Sequence, residues 1–308
     1  MLINDFEIII LDLITKLDNL LKAVSINGAS LLTWFWWCIT QFGDKFILLG
    51  IILLFYWCIN KEKGEKIAFA VSISLWVNSL LKFFVNRERP FNYLNGKYAN
   101  VRKLEGLDGA GGSSFPSGHS QNASTIFSSV ALHERNLFTF ILALTFISLV
   151  PISRVYLGVH YPTDTIVGAV LGILISYLMY LLMKYCYRHK FIFYFGFLAL
   201  MTPFLFIAPG SENAEQLFAS YGLYFGAIFG ILLENKCINF TTNVSTGKKI
   251  LRFFVGTVIL VACYLIYSLI KSFLPSTLWI NIFRCFGYAL IAFIAFGIIP
   301  FMFKKEKR

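Results

Sequence analysis

Ser153-Arg154-Val155-Tyr156-Leu157-Gly158-Val159-His160-Tyr161-Pro162-Thr163-Asp164 is a short polar stretch between two long apolar segments, and it holds an arginine, a histidine and an aspartate. Tyr161-Pro162 predicts a helix start, because proline is tolerated at the first helical position and pushes the residue before it out of the helical region. His160 then lies just outside a helix mouth. Asp164 falls in the first turn, close enough in sequence to reach one ring nitrogen of His160 and leave the other free as a nucleophile or base. Arg154 closes the preceding apolar segment and offers a planar fork suited to phosphate or carboxylate.

The apolar surroundings set the class of the protein. With 57% hydrophobic and 14% charged residues and a mean hydropathy of +0.70, the chain reads as a membrane protein, because each crossing needs about 20 mainly apolar residues. A net charge of +11 would suggest nucleic acid in a soluble protein. Here the excess sits in short loops between apolar segments, as expected of cytoplasmic loops, and no nucleic-acid motif is visible. The six cysteines, Cys38, Cys58, Cys186, Cys237, Cys263 and Cys285, form no CxxC pair, so neither a disulfide framework nor a zinc site is expected. Asp5, Glu7, Asp12, Lys16 and Asp18 interrupt the first apolar run, which argues against a cleavable signal peptide.

An all-α polytopic bundle follows, with nine expected spans at residues 45–60, 66–84, 119–133, 137–153, 162–183, 191–208, 217–234, 250–270 and 279–303. Residues 3–22 place Phe6, Ile10, Leu13, Leu17 and Leu20 at helical spacing and read as an amphipathic helix lying in the interface. Residues 28–42, rich in tryptophan, are short for a crossing and read as interfacial or re-entrant. Lys61, Lys63, Lys66, Lys184, Arg188, Lys190, Lys236, Lys248, Lys249, Arg252 and the tail Lys304-Lys305-Glu306-Lys307-Arg308 are expected in the cytoplasm. Lys82 and the 153–164 stretch then emerge on the extracytoplasmic side. Three segments follow: 1–44 interfacial, 45–189 a membrane core carrying the polar patches, and 190–308 further spans with no visible chemistry. Glu234 and Arg284, near span ends, read as snorkelling side chains.

Two more patches share the outer face. Lys82 is followed after six residues by Arg89-Pro90, and Pro116-Ser117-Gly118-His119 opens the segment that begins at Ser120. Ser117 is a candidate N-cap, and Gly118 lets backbone approach closely, so amides at that helix start can cradle an anion. Between the patches, Phe91, Tyr93 and Tyr98 and the glycines at 106, 109, 111 and 112 mark either a cover for the pocket or a plain connector. His119, His160 and Asp164 are a conceivable facial set for a metal, but Lys82, Arg89 and Arg154 would repel a dication, so no metal or other cofactor is expected.

In order and spacing these patches, Lys-x6-Arg-Pro, Pro-Ser-Gly-His and Ser-Arg-x5-His-x3-Asp, resemble the signature of the type-2 phosphatidic acid phosphatase family over about residues 45–185. Tyr56-Trp57-Cys58 and Gln121-Asn122-Ala123 further resemble its sphingosine-phosphate phosphatase branch and bacterial relatives. The resemblance implies a lipid phosphate or lipid diphosphate as substrate, with His160 as nucleophile, Asp164 as its orienting partner and His119 as acid and base. It also implies phosphate binding by Lys82, Arg89, Ser117, Gly118 and Arg154. Two alternatives stay open: a phosphotransferase using the same phosphohistidine, and a transporter or flippase that binds the head group without breaking a bond.

Overall fold

A computed structural model describes residues 5–21, 25–26, 29–93, 112–207, 209–211 and 214–303. Tyr98, the glycines at 106, 109 and 111, and the basic tail from Lys304 lie outside the described residues. Among the described residues the chain is helical, apart from a two-residue pairing of Ser25–Ile26 with Ala29–Ser30. In chain order the helices are α1 (Asp5–Leu21), α2 (Leu31–Thr40), α3 (Lys45–Leu54), α4 (Lys61–Val85), α5 (Pro90–Tyr93) and α6 (Gly118–Glu134). They continue with α7 (Leu137–Tyr156), α8 (Pro162–Cys186), α9 (Lys190–Met201), α10 (Glu215–Leu233), α11 (Thr246–Lys271) and α12 (Thr277–Phe293).

Among the described residues six helical runs are long and apolar enough to cross a membrane: Lys61–Asn92, Leu137–Tyr156, Pro162–Phe206, Glu215–Ile238, Thr246–Lys271 and Thr277–Met302. A seventh appears if Leu31–Gly43 and Lys45–Ile59, which meet at a 50° bend, count as one. The difference from nine has physical reasons. α8 and α9 follow each other closely enough to qualify as one 45-residue run. α6 is too polar to qualify, yet Ser120 to Thr125 are buried, so its polar side chains face protein and need not be compatible with lipid.

The chain forms two compact units, Met1–Leu48 with Leu80–Leu178, and Leu49–Ser79 with Met179–Arg308. In the first, α6 and α8 meet through glycine. A Cβ added at Gly168 would lie 2.6 Å from the Ser117 carbonyl oxygen, and one at Gly172 would lie 2.5 Å from that of Gln121. In lipid no water drives helices together, so small residues that admit backbone contact set the interface. Further along, Ser129 and Ser176 hydroxyls bond at 3.0 Å. The 3-10 turn Gln41–Gly43 docks beside α6: Asn122 Nδ2 donates to the Gly43 carbonyl at 3.2 Å, and Phe42 stacks on Phe146 at 4.1 Å. α1 turns Glu7, Leu11 and Thr15 inward, with Leu11 against Val155 and Tyr161, while Phe6, Ile9, Leu13 and Leu17 point outward.

The second unit repeats the device. Gly222, Gly226 and Gly230 of α10 face α12 and the turn that follows it, where added Cβ atoms would meet the carbonyl oxygens of Cys285 and Ala289 at 2.2 and 2.0 Å and the Phe296 Cβ at 2.9 Å. A π-helical turn at Ile294–Ile298 shifts the ladder, and the Tyr56 hydroxyl and Trp57 indole donate to the carbonyls of Phe296 and Ala295 at 3.3 and 3.1 Å. Tyr56 and Trp57 are thus structural donors. Glu234 does not snorkel: it is fully buried, and it accepts from Lys61 Nζ at 2.9 Å and from the Phe240 amide at 2.9 Å. Arg284 pairs with Glu215. Glu65 is buried in the same way, held by Lys190, Tyr187 and Tyr194.

The glycine contact is open to test. Gly168→Val should force α6 and α8 apart, at about 1–3 kcal/mol by overpacking, and should lower the thermal midpoint of the purified protein. An unchanged midpoint would show that the helices do not touch there.

Candidate active site

α7 ends in a turn that aims the next residues. Gly158 takes φ +70°, its amide donates to the Val155 carbonyl at 3.0 Å, and the Val159 amide donates to that of Arg154 at 3.3 Å. This pair of bonds, five-to-two and six-to-one around a left-handed residue, is the Schellman arrangement, and glycine suits it because it has no Cβ to clash. Two residues later Pro162 opens α8. Asp164 Oδ2 reaches back to the Tyr161 amide at 3.0 Å, as the third residue of a helix does in a capping box.

His160 sits between these two turns with 1% of its surface exposed. Arg89 Nη1 lies 3.2 Å from its Nε2 and also donates to the Val159 carbonyl at 3.0 Å. Arginine carries no acceptor, so Nε2 must accept and the proton belongs on Nδ1. Nδ1 faces Ser114 Oγ at 3.3 Å and Asp164 Oδ2 at 3.4 Å, and the Ser114 hydroxyl itself donates to Asp164 Oδ2. The hydroxyl therefore accepts from the ring and donates to the carboxylate. Asp164 thus reaches one ring nitrogen, as the sequence suggests, with Ser114 bridging the two groups in addition, and the far nitrogen is covered by Arg89 rather than left free.

The end of α4 and the start of α6 close on this centre. Asn86 takes φ +41° and its amide donates to the Lys82 carbonyl at 3.1 Å, which ends α4 and turns the chain toward Arg87 and Arg89. Segment 112–115 runs along 87–89: Ser114 N–H donates to the Arg87 carbonyl at 2.7 Å, and Arg89 Nε donates to that of Gly112 at 3.0 Å. Ser117 caps α6, its hydroxyl oxygen accepting from the Ser120 amide and hydroxyl, while its own amide donates to the Asp164 carbonyl at 2.9 Å. That bond places the first turn of α6, with Gly118 and His119, beside the first turn of α8. Gly118 and His119 are partly exposed, whereas Ser117 and Asp164 are buried.

Charge gathers in the same place. Lys82, Arg89 and Arg154 are all buried, with Arg154 Nη1 donating to Thr40 Oγ1 at 3.1 Å. All three cations act on the ring of His160, and His119 feels the same three as well as His160 itself. Burial first, then Arg89, Arg154 and Lys82, hold the His160 imidazole well below its ordinary value, so the ring is neutral near pH 7. Among the described residues no three His, Cys, Asp or Glu side chains gather as a metal-binding group.

Lys82, Arg89, Ser117, Arg154, His160 and Asp164 are buried, while Gly118 and His119 are partly exposed at the start of α6. Four others were not foreseen. Ser114 bridges ring and carboxylate. Arg87 donates to Asp164 Oδ1 at 2.7 Å, to Thr163 Oγ1 at 2.8 Å and to Glu7 Oε2 at 2.7 Å, with its guanidinium 4.0 Å over the Tyr161 ring. Thr163 and Glu7 complete that chain. Arg87 stands inside the Lys-x6-Arg-Pro interval and an arginine buried beside an aspartate was discoverable there, but nothing local announces Glu7.

Comparison with known proteins bears on this arrangement. Residues 65–188 match the family described as PAP2 superfamily, and residues 218–307 match that described as PAP2 superfamily phosphatase, transmembrane extension. An undecaprenyl-diphosphatase of Sulfolobus acidocaldarius is 28% identical over 53% of this chain and 73% of its own length. Phosphatidylglycerophosphatase B of Bacillus subtilis is 34% identical over 46% of this chain and 70% of its own. A lipid A 4'-phosphatase of Bacteroides thetaiotaomicron is 32% identical over 45% of this chain and 65% of its own. With the polar patches gathered on the helices that the first match spans and the second match covering the later ones, the chain belongs to the PAP2 superfamily and is an integral membrane phosphatase of it.

Proposed function

We propose that the chain hydrolyses a phosphate monoester or diphosphate of a lipid at the extracytoplasmic face, through a phosphohistidine on His160 and without a metal. The observation that carries this is the Arg89 donor on His160 Nε2. It defines a neutral ring whose lone pair faces the cations. An incoming phosphate draws the guanidinium onto its own oxygens and uncovers the nucleophile.

The steps then balance. Nε2 of His160 bonds to phosphorus as the bond to the leaving oxygen breaks, and His119, which holds a second ring proton once the bound phosphate anion offsets the surrounding cations, gives that oxygen a proton. Ser114 and Asp164 take up the positive charge left on the ring through its Nδ1–H. Water next bonds to phosphorus, the N–P bond breaks, and His119 takes the water's proton. Lys82, Arg89 and Arg154 hold the equatorial oxygens, joined by the first-turn amides of Gly118 and His119. Ser117 contributes its hydroxyl hydrogen, since its oxygen already accepts twice and its amide is bonded to Asp164. With three cations around the anion, electrostatic stabilisation of the kind a dication would supply is already present.

The placement rests on charge. Lys61, Lys63 and Lys66 lie at the start of α4 and Lys82 in its last turn, while α8 starts beside the site and carries Lys184 in its last turn. Basic loops inside put the site outside and the C-terminus in the cytoplasm. Nine crossings satisfy this alternation, counting α3, α4 and α6 to α12. α1 then lies in the interface with Phe6, Ile9, Leu13 and Leu17 in lipid. Residues 45–189 act as the catalytic core, flanked by the interfacial 1–44 and the helices of 190–308. Three relatives named for three different lipids leave the tail and head of the substrate to experiment.

A screen for phosphate release from phosphatidic acid, phosphatidylglycerophosphate and undecaprenyl diphosphate decides the matter. The wild-type chain should release phosphate from at least one, and His160→Ala should lose about ten-thousand-fold. Label passed to an acceptor lipid in place of free phosphate would make it a transferase, and lipid moved between leaflets without release would make it a transporter. Activity should survive a strong chelator; loss restored by one divalent ion would overturn the metal-free route. The ring state is open to nitrogen NMR on histidine-labelled protein. As pH falls, His160 should stay neutral with its proton on Nδ1 down through 6.5, where a free imidazole is half protonated, and an imidazolium signal at that pH would contradict the assignment.

A further inference from the structure

Glu7 is 3% exposed on a helix whose other inward residues, Leu11 and Thr15, serve packing. A carboxylate removed from water in that way is tolerated only with strong partners. Its partners are unusually placed. Oε2 accepts from Arg87 Nη2 at 2.7 Å, and Oε1 accepts from the Thr163 amide at 3.2 Å and from the Thr163 hydroxyl. Thr163 is the second residue of α8, so Glu7 supplies from 156 positions away an anion at the mouth of the helix that carries Asp164. The other arm of Arg87 is on Asp164 Oδ1, at 2.7 Å.

From this we infer that Glu7 is a positioning residue for the phosphatase reaction, acting through Arg87 and Thr163 to hold Asp164, and through Asp164 and Ser114 to hold His160. The inference rests on the functional reading above. Arg87 is shared between two carboxylates. With Glu7 neutral, the guanidinium bears on Asp164 alone, drawing it off Ser114 and loosening the Nδ1–H contact that orients the ring. Arg89 is held by the Gly112 and Val159 carbonyls and His160, and Arg154 by Thr40, so phosphate binding is left intact while the attack slows.

The experiment uses the full chain in phosphatidylcholine nanodiscs, with the fastest hydrolysed of phosphatidic acid, phosphatidylglycerophosphate and undecaprenyl diphosphate as labelled probe. Single turnovers are followed with enzyme in excess. For Glu7→Gln the saturating rate constant should fall about tenfold, with the half-saturating enzyme concentration within about twofold of wild type. A merely structural Glu7 would reduce the active fraction, raising the half-saturating concentration and leaving the rate constant unchanged, and that result, or no change in either, overturns the inference. Should Glu7→Gln fail to fold, Thr163→Val, which keeps the charge and removes one of its anchors, decides by the same two readings. Wild-type protein that releases phosphate from none of the three probes removes the functional reading itself, whatever the variants do.

Discussion

Asp164 has none of its surface in solvent, and a carboxylate so placed persists only if donors saturate it. Its donors come from separate parts of the chain: Arg87 beyond the end of α4, Ser114 ahead of α6, and the Tyr161 amide at the mouth of its own helix. The Asp164 carbonyl adds the Ser117 amide at the start of α6. Those same segments bear Lys82, Arg89 and His119. Satisfying one buried acid is therefore the same event as bringing Lys82, Arg89 and both histidines together.

That convergence needs helices that come close without apolar side chains between them. Gly168 and Gly172 let α8 touch the backbone of α6 at Ser117 and Gln121, which keeps the two helix mouths level. It also explains why α6 can be rich in serine. Its polar side chains from Ser120 to Thr125 are buried inside the protein, as where Thr125 Oγ1 donates to the Gln121 carbonyl at 2.8 Å, so lipid never has to accommodate them. The second unit handles polarity in the same way, with Glu65 and Glu234 buried against lysines and tyrosines or a backbone amide rather than reaching for water.

Much of the site was legible because its determinants are local. Proline at 162 and glycine at 158 restrict the backbone wherever they occur, and an arginine, a histidine and an aspartate in an apolar setting stand out by cost alone. What depended on three dimensions was not legible. The four-residue interval from His160 to Asp164 suggested contact, and the two groups lie 3.4 Å apart, but the serine 46 residues earlier that also bridges them carries no local signal. Glu7 looked like an interruption of an apolar run because its partners lie 80 and 156 residues away. α6 was expected as an ordinary span, since a polar helix sheltered by neighbours has the same length as one bathed in lipid. The close approach at Gly168 and Gly172 was written in their four-residue spacing, but only the facing carbonyls of α6 give that spacing its meaning.

The turn at Gly158 has a consequence for any chain built on this plan. Because the Val159 amide closes a ring onto the Arg154 carbonyl, the interval between the guanidinium and the imidazole behaves as a molecular ruler. One residue inserted between them would swing the ring away from Arg89, and one deleted would pull it short. A β-branched residue at the left-handed position would break the ruler while leaving its length untouched.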